Sequence, residues 1–343
     1  MSFLLSFVVA LVLAAPSPSP LAVVTNEGSG DVTLIDTATD AVVATVPVGR
    51  RPRGVRVSPD GKLAYVAVSG SPPSRPGGGA PGVAAADRAA DGIAVVDLAS
   101  RRLLRTIAAG RDPEAFDLAA DGVLVVSNEE TGEATFVDVA RGRALGSVPV
   151  GEEPEGVTTA PDGKTVWVTS EAGDHVAVLD VASRHELARI RTGARPRAVV
   201  FGPGGRLALV SAENGGSVTV IDAGARQALG DVALPPPARP MGLAVSPDGG
   251  TLYVATGRGG GVAFVDLARR AVLRTVRDVG ARPWGIAVTP DGKKLYVAGG
   301  PSDDVAVLDA GSGAVLRRVA AGRSPWGVSV APAASAKAHS RRE

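Results

Sequence analysis

The chain has 343 residues, 45% hydrophobic and 21% charged, and its 36 Lys plus Arg against 35 Asp plus Glu leave a net charge of +1. So balanced a chain lacks the cationic field that nucleic-acid binding draws on, and no nucleic-acid partner is expected. With no cysteine, disulfides, thiolate catalysis, iron–sulfur clusters and Cys-ligated zinc are excluded, and three histidines (His175, His185, His339) argue against a multi-histidine metal site.

In chain order, the first feature is an apolar run of 13 residues, Phe3 to Ala15, followed by small residues. It fits a signal-peptide core and is short of the ~20 residues a membrane-spanning helix needs. Residues 1–19 are expected to be a signal peptide and short linker, with cleavage near Ala14. The mature protein is then periplasmic or secreted, has no membrane span, and is expected to be a monomer.

From residue 20 onward the chain repeats itself. Seven short apolar runs close on an aspartate, namely Asp36, Asp97, Asp138, Asp180, Asp222, Asp266 and Asp309, at spacings of 41 to 44 residues with one spacing of 61. Runs such as Val176-Ala177-Val178-Leu179 are Val-rich and bounded by Gly, Asp and Pro, as buried strands are. Ser58-Pro59-Asp60-Gly61 and its copies supply tight hairpin turns. A period near 42 with four strand-like runs per unit describes a propeller blade.

The chain ends fix the blade count. The first unit, Leu21 to Gly49, lacks an opening strand, and the last, Ser324 to Val330, is an opening strand with nothing after it. Joined, they make a seventh blade and close the ring. The expectation is an all-β fold: a seven-bladed β-propeller of four-stranded blades over residues 20–332. The Pro/Gly/Ala-rich segment 69–91 is read as an insertion between the second and third strands of its blade, and 333–343 as a disordered tail.

The stretch Leu252-Tyr253-Val254-Ala255 with Ser246-Pro247-Asp248-Gly249 resembles the YVTN family of bacterial β-propeller repeats. More narrowly, the chain is similar to exported seven-repeat proteins associated with pyrroloquinoline-quinone-dependent catabolism. That likeness is carried by Arg51-Pro52-Arg53-Gly54, Glu153-Pro154-Glu155-Gly156, Gly257-Arg258-Gly259-Gly260 and Gly300-Pro301-Ser302-Asp303. The resemblance implies an accessory role beside quinone-dependent alcohol oxidation and an efflux-type transporter. It supplies no catalytic residues.

Function is expected where inter-blade loops meet the channel mouth. The Pro-X-Gly or Pro-X-Ala position there reads Arg53, Glu114, Glu155, Arg197, Met241, Trp284 and Trp326 around the ring. A backbone held constant under so varied a side chain marks a position free for use. The loop between second and third strands adds Glu27, Glu129, Glu171 and Glu213, with Gly257 and Gly300 in the later blades and Arg258 beside the former. Acidic and basic residues are expected to occupy separate sectors of the mouth, suited to a protein partner or a small planar anionic ligand. Arg53 and Arg197 with the two indoles would suit pyrroloquinoline quinone, and the four glutamates would suit Ca²⁺ or Mg²⁺.

With no recognisable catalytic set, the leading expectation is a non-enzymatic binding or scaffold protein. The alternative is a lactonase-like propeller hydrolase or lyase with a carboxylate-bound divalent metal; a purely structural or adhesive role is a third reading. The strand-end aspartates are expected to stabilise turns, Arg56 and Asp117 to form an inter-blade ion pair, and His175 and His185 to lie in solvent.

Overall fold

A computed structural model describes residues 19–72, 85–119 and 122–332. The signal-peptide and C-terminal-tail expectations lie outside them, apart from Ser19. The described chain forms 28 strands in seven four-stranded antiparallel sheets, so the seven-bladed propeller is the fold. Blade 1 joins Leu21–Pro47 to the last strand, Pro325–Val330. Blades 2 to 7 follow as Val55–Ile107, Pro113–Pro149, Pro154–Arg191, Pro196–Ala233, Leu243–Val276 and Ile286–Ala320.

Burial within a blade depends on strand position. The second strands, such as Leu63–Val68 and Thr165–Ser170, are buried along nearly their whole length, because neighbouring blades cover both faces. Their central residues, Ala64-Tyr65-Val66-Ala67 and Val166-Trp167-Val168, therefore read as continuous apolar runs rather than alternating. The outermost strands, such as Arg102–Ile107, face solvent over most of their length. Blade-to-blade contacts are apolar, as between blades 6 and 7, where Met241, Tyr253, Phe264, Leu295 and Leu308 form one cluster.

All seven strand-end aspartates stabilise turns. In each case the carboxylate accepts from the backbone N–H three residues on, from Thr39 at 3.0 Å for Asp36 through Ser312 at 2.6 Å for Asp309. The ring closes by strand pairing: Ala22, Val23 and Val24 pair antiparallel with Val330, Ser329 and Val328, before a register shift toward Asn26. A polar latch reinforces it, with Lys294 Nζ of blade 7 donating to Asp40 of blade 1 at 2.8 Å and the Tyr296 hydroxyl donating to the same carboxylate.

Candidate functional site

The Pro-X-Gly/Ala position is fixed by a closed circuit of seven hydrogen bonds, each ending on the carbonyl of an X residue in the next blade. In blades 1, 3, 4 and 5 a buried hydroxyl of the second strand makes the bond. Thr25, Ser127 and Ser211 donate to the carbonyls of Arg53, Glu155 and Met241 at 2.6 Å, and Thr169 donates to that of Arg197 at 3.1 Å.

In blades 2, 6 and 7 the equivalent residue is Ala67, Ala255 or Ala298, and the backbone N–H takes over. Gly54, Gly242 and Gly285 donate directly to the carbonyls of Glu114, Trp284 and Trp326 at 2.8–2.9 Å. Local backbone follows the same division. The hydroxyl blades have six-residue first strands with a register shift near their start, and the others have regular three-residue ones. Gly285 has no room for a side chain, since a Cβ there would sit 2.5 Å from the Trp326 carbonyl. The backbone carbonyl of X is thus committed to the ring, and its side chain is left to line the mouth.

These side chains surround a polar cavity of about 540 Å³. Eleven of the twelve expected site residues line it: Arg53, Glu155, Arg197, Met241, Trp284, Trp326, Glu27, Glu129, Glu171, Glu213 and Arg258. The exception is Glu114, wholly buried behind Arg53 and in contact with its guanidinium. Glu153, Arg195, Asn214, Arg239 and Arg282 also line the cavity. Of these, Asn214 follows Glu213 in a loop and carried no sequence signal. A smaller, more apolar channel of about 130 Å³ adjoins it and shares Glu155, Arg197, Met241, Trp284 and Trp326 with the mouth.

The expected acidic and basic sectors do not form in blades 1 to 5, because opposite charges interleave there. Arg53 meets Glu27 at 3.0 Å and Glu129 at 3.7 Å, in addition to Glu114. Arg197 meets Glu155 at 3.3 Å and Glu213 at 2.7 Å, and also contacts Glu171. The two arginines expected to grip a ligand's carboxylates are therefore already engaged by the protein's own. An unpaired charge at this depth would cost several kcal/mol, so sequence-distant partners converge.

The electrostatics of the second hub are unequal. Burial first, then the neighbouring Glu155, pushes the Glu171 carboxyl up to about 9 against the pull of Arg197 and Arg195. The buried carboxyl pair therefore favours keeping a proton at neutral pH, with Glu171 its raised member. Burial also acts to raise Glu213, but Arg197, Arg195 and Arg282 outweigh it and hold that carboxyl below its ordinary value. Burial opposes the charge on Arg197, yet Glu155, Glu171 and Glu213 together raise its pKa.

A divalent cation does not fit the four expected glutamates, since each already faces a guanidinium. Among the described residues, one group of three carboxylates, Asp112, Glu114 and Glu129, has oxygens within 4.8 Å of one another. Arg51 and Arg53 fill the cation's place there, Arg51 at 3.3 Å from Asp112. The tryptophans also differ from expectation. Trp284 and Trp326 meet edge to face, with centroids 6.0 Å apart and planes at 69°, so a flat ligand cannot lie against both.

Arg56 and Asp117 form the inter-blade pair at 3.1 Å. His185 is exposed, whereas His175 is buried and bonded to the carbonyls of Val150 at 2.9 Å and Gly173 at 3.0 Å, a structural role rather than a solvated one.

No family model matches the chain, and no curated protein does. Solved structures match across most of it. The periplasmic gluconolactonase of Pseudomonas aeruginosa is 23% identical with a TM-score of 0.71, covering 91% of this chain and 99% of its own. A Bacteroides fragilis protein assigned provisionally as a 6-phosphogluconolactonase is 18% identical with a TM-score of 0.75, covering 92% and 99%. Hydrazine synthase of Kuenenia stuttgartiensis is 20% identical with a TM-score of 0.70, covering 82% and 90%. The likeness is one of fold.

These findings correct the leading expectation. Proteins described as lactonases recur among the matched structures, and they back the hydrolase alternative over a non-enzymatic accessory of quinone-dependent oxidation. No helix among the described residues is long and apolar enough to cross a membrane.

Proposed function

We propose that the protein is a lactone-opening hydrolase whose site is the mouth of the propeller channel. The observation that carries this reading is the buried carboxyl pair Glu155 and Glu171 on the wall of a cavity that also holds unsatisfied donors. Burial and the neighbouring Glu155 push the Glu171 carboxyl up to about 9, so Glu171 is the member suited to give a proton and Glu155 the one suited to take it. On the same cavity wall, Arg282 Nε and Trp284 Nε1 are buried without an acceptor. A buried carboxyl with a strongly raised pKa beside a second carboxylate is the usual equipment of acid–base catalysis.

In this mechanism Glu155 takes a proton from water as its oxygen adds to the lactone carbonyl. The oxyanion that develops lies beside the Arg197 guanidinium, 3.3 Å from Glu155. The acyl–oxygen bond of the ring then breaks, and Glu171 gives its proton to the leaving ring oxygen, yielding a hydroxy acid. Transfer of the proton from Glu155 to Glu171 restores the pair. No metal takes part, in keeping with carboxylates already matched to arginines. The lactonases among the matched structures support the reaction class.

We place the reaction outside the cytoplasm, supported by the N-terminal apolar run and by the periplasmic gluconolactonase among those structures. The YVTN-like motif describes the repeat and carries none of the chemistry.

The test is acid release from aldonolactones, followed at constant pH against the spontaneous rate. Hydrolysis should depend on Glu171, with Glu171→Gln lowering kcat/KM by about 10²-fold or more. No acceleration with any five- or six-membered sugar lactone would overturn the proposal.

A further inference from the structure

The loops between second and third strands place glutamates in blades 1, 3, 4 and 5, but Gly257 and Gly300 in blades 6 and 7. That side of the mouth keeps its arginines and lacks their acids. Arg239, Arg258 and Arg282 all line the cavity. Arg258 has no acidic partner among the described residues, and Arg239 donates only to the Asn214 carbonyl at 3.3 Å. Arg282 has one acid, Glu213, to which it donates at 3.4 Å and which it shares with Arg195 and Arg197.

The Arg282 guanidinium lies 5.1 Å over the Trp284 ring, and both side chains hold a buried N–H with no acceptor. Burial lowers the Arg282 pKa, Arg258, Arg197 and Arg195 add to that effect, and Glu213 only opposes it. Positive charge is thus crowded here, with Glu213 shared among three arginines as its only counter-charge among the described residues. A buried donor left unmatched is costly, and a ligand that brings acceptor oxygens removes the cost.

We infer that Arg239, Arg258, Arg282 and Trp284 form an anion subsite, and that the substrate is a lactone bearing a carboxylate or phosphate group away from its ester. Planar guanidinium donors suit either oxyanion. The glutamates across the cavity repel the same group, so a single orientation is favoured, with the anion at blades 6 and 7 and the ester toward Glu155 and Glu171. The subsite stands on the arginines alone; its assignment to a lactone rests on the hydrolase reading.

Calorimetric binding of unhydrolysable probes separates the two. Glucitol is neutral, gluconate and glucarate carry one and two carboxylates, and glucose 6-phosphate carries a phosphate. The anionic probes should bind at least about tenfold tighter than glucitol, and Arg258→Ala should remove about that factor. Arg258 is exposed, so its replacement leaves the fold intact; the advantage should also shrink as salt rises. Preference for glucarate over glucose 6-phosphate identifies a carboxylate subsite, and the reverse a phosphate one. Equal affinity for glucitol and the anions, or an advantage unchanged in both Arg258→Ala and Arg282→Gln, overturns the inference. Anion preference without lactone hydrolysis removes only the hydrolase reading, whereas hydrolysis without anion preference removes only the subsite.

Discussion

Ser211 Oγ of blade 5 donates to the Met241 carbonyl of blade 6 at 2.6 Å, and the same oxygen accepts from the Ala198 N–H at 3.0 Å. One hydroxyl therefore closes a blade boundary and accommodates the irregular start of its own first strand. Ser211→Ala should cost about 1–2 kcal/mol, because a buried carbonyl and a buried N–H both lose their partner. Chemical denaturation checks this. The blades that already carry Ala67, Ala255 or Ala298 bond directly through a glycine N–H, so the loss is specific to the bulged blades. An unchanged midpoint would show that the hydroxyl circuit does not hold the ring.

Arg197 is the hub for Glu155, Glu171 and Glu213, all of them buried. Arg197→Met should destabilise the protein by about 3–5 kcal/mol, since buried carboxylates lose their counter-charge. Adding Glu213→Gln to that variant should restore part of the loss, because Glu213 is held in its ionised form by the arginines. A fully folded single variant with wild-type melting behaviour would contradict the hub.

The raised pKa of Glu171 has a definite sign. The folded state keeps this proton between the ordinary glutamate value of 4.5 and about 9, while the unfolded chain releases it. The contribution of Glu171 is therefore complete below about 4.5 and falls away as pH rises toward 9. Glu171→Gln holds no proton to lose. Its stability relative to wild type should improve steadily from pH 5 to pH 9, measured by urea unfolding. A difference that stays flat across that range would place an ionised Glu171 in the native protein.

The fold was legible because its determinants are local and repeated. Each strand-end aspartate makes a turn with residues only three positions away, and the unmatched first and last units imply one another. The ring of X residues was legible for the same reason. The pairing of those residues was not. Arg53 and Glu129 are 76 positions apart in the chain and meet only because two neighbouring blades bring them to one rim. Reading charges by blade therefore suggested sectors where the ring makes pairs. His175 shows the same limit, since the carbonyl of Val150 that holds it lies in the preceding loop and has no side-chain signature.

The paired strands of blade 1 also set a polarity for the whole molecule. Asn26 and Pro325 sit at the mouth end of their strands, so Leu21 and Val330 end at the other face. Any segment joined to either terminus leaves from the side away from the arginines and glutamates. A tether, a fused domain or a surface attached there would hold the propeller with its mouth turned outward.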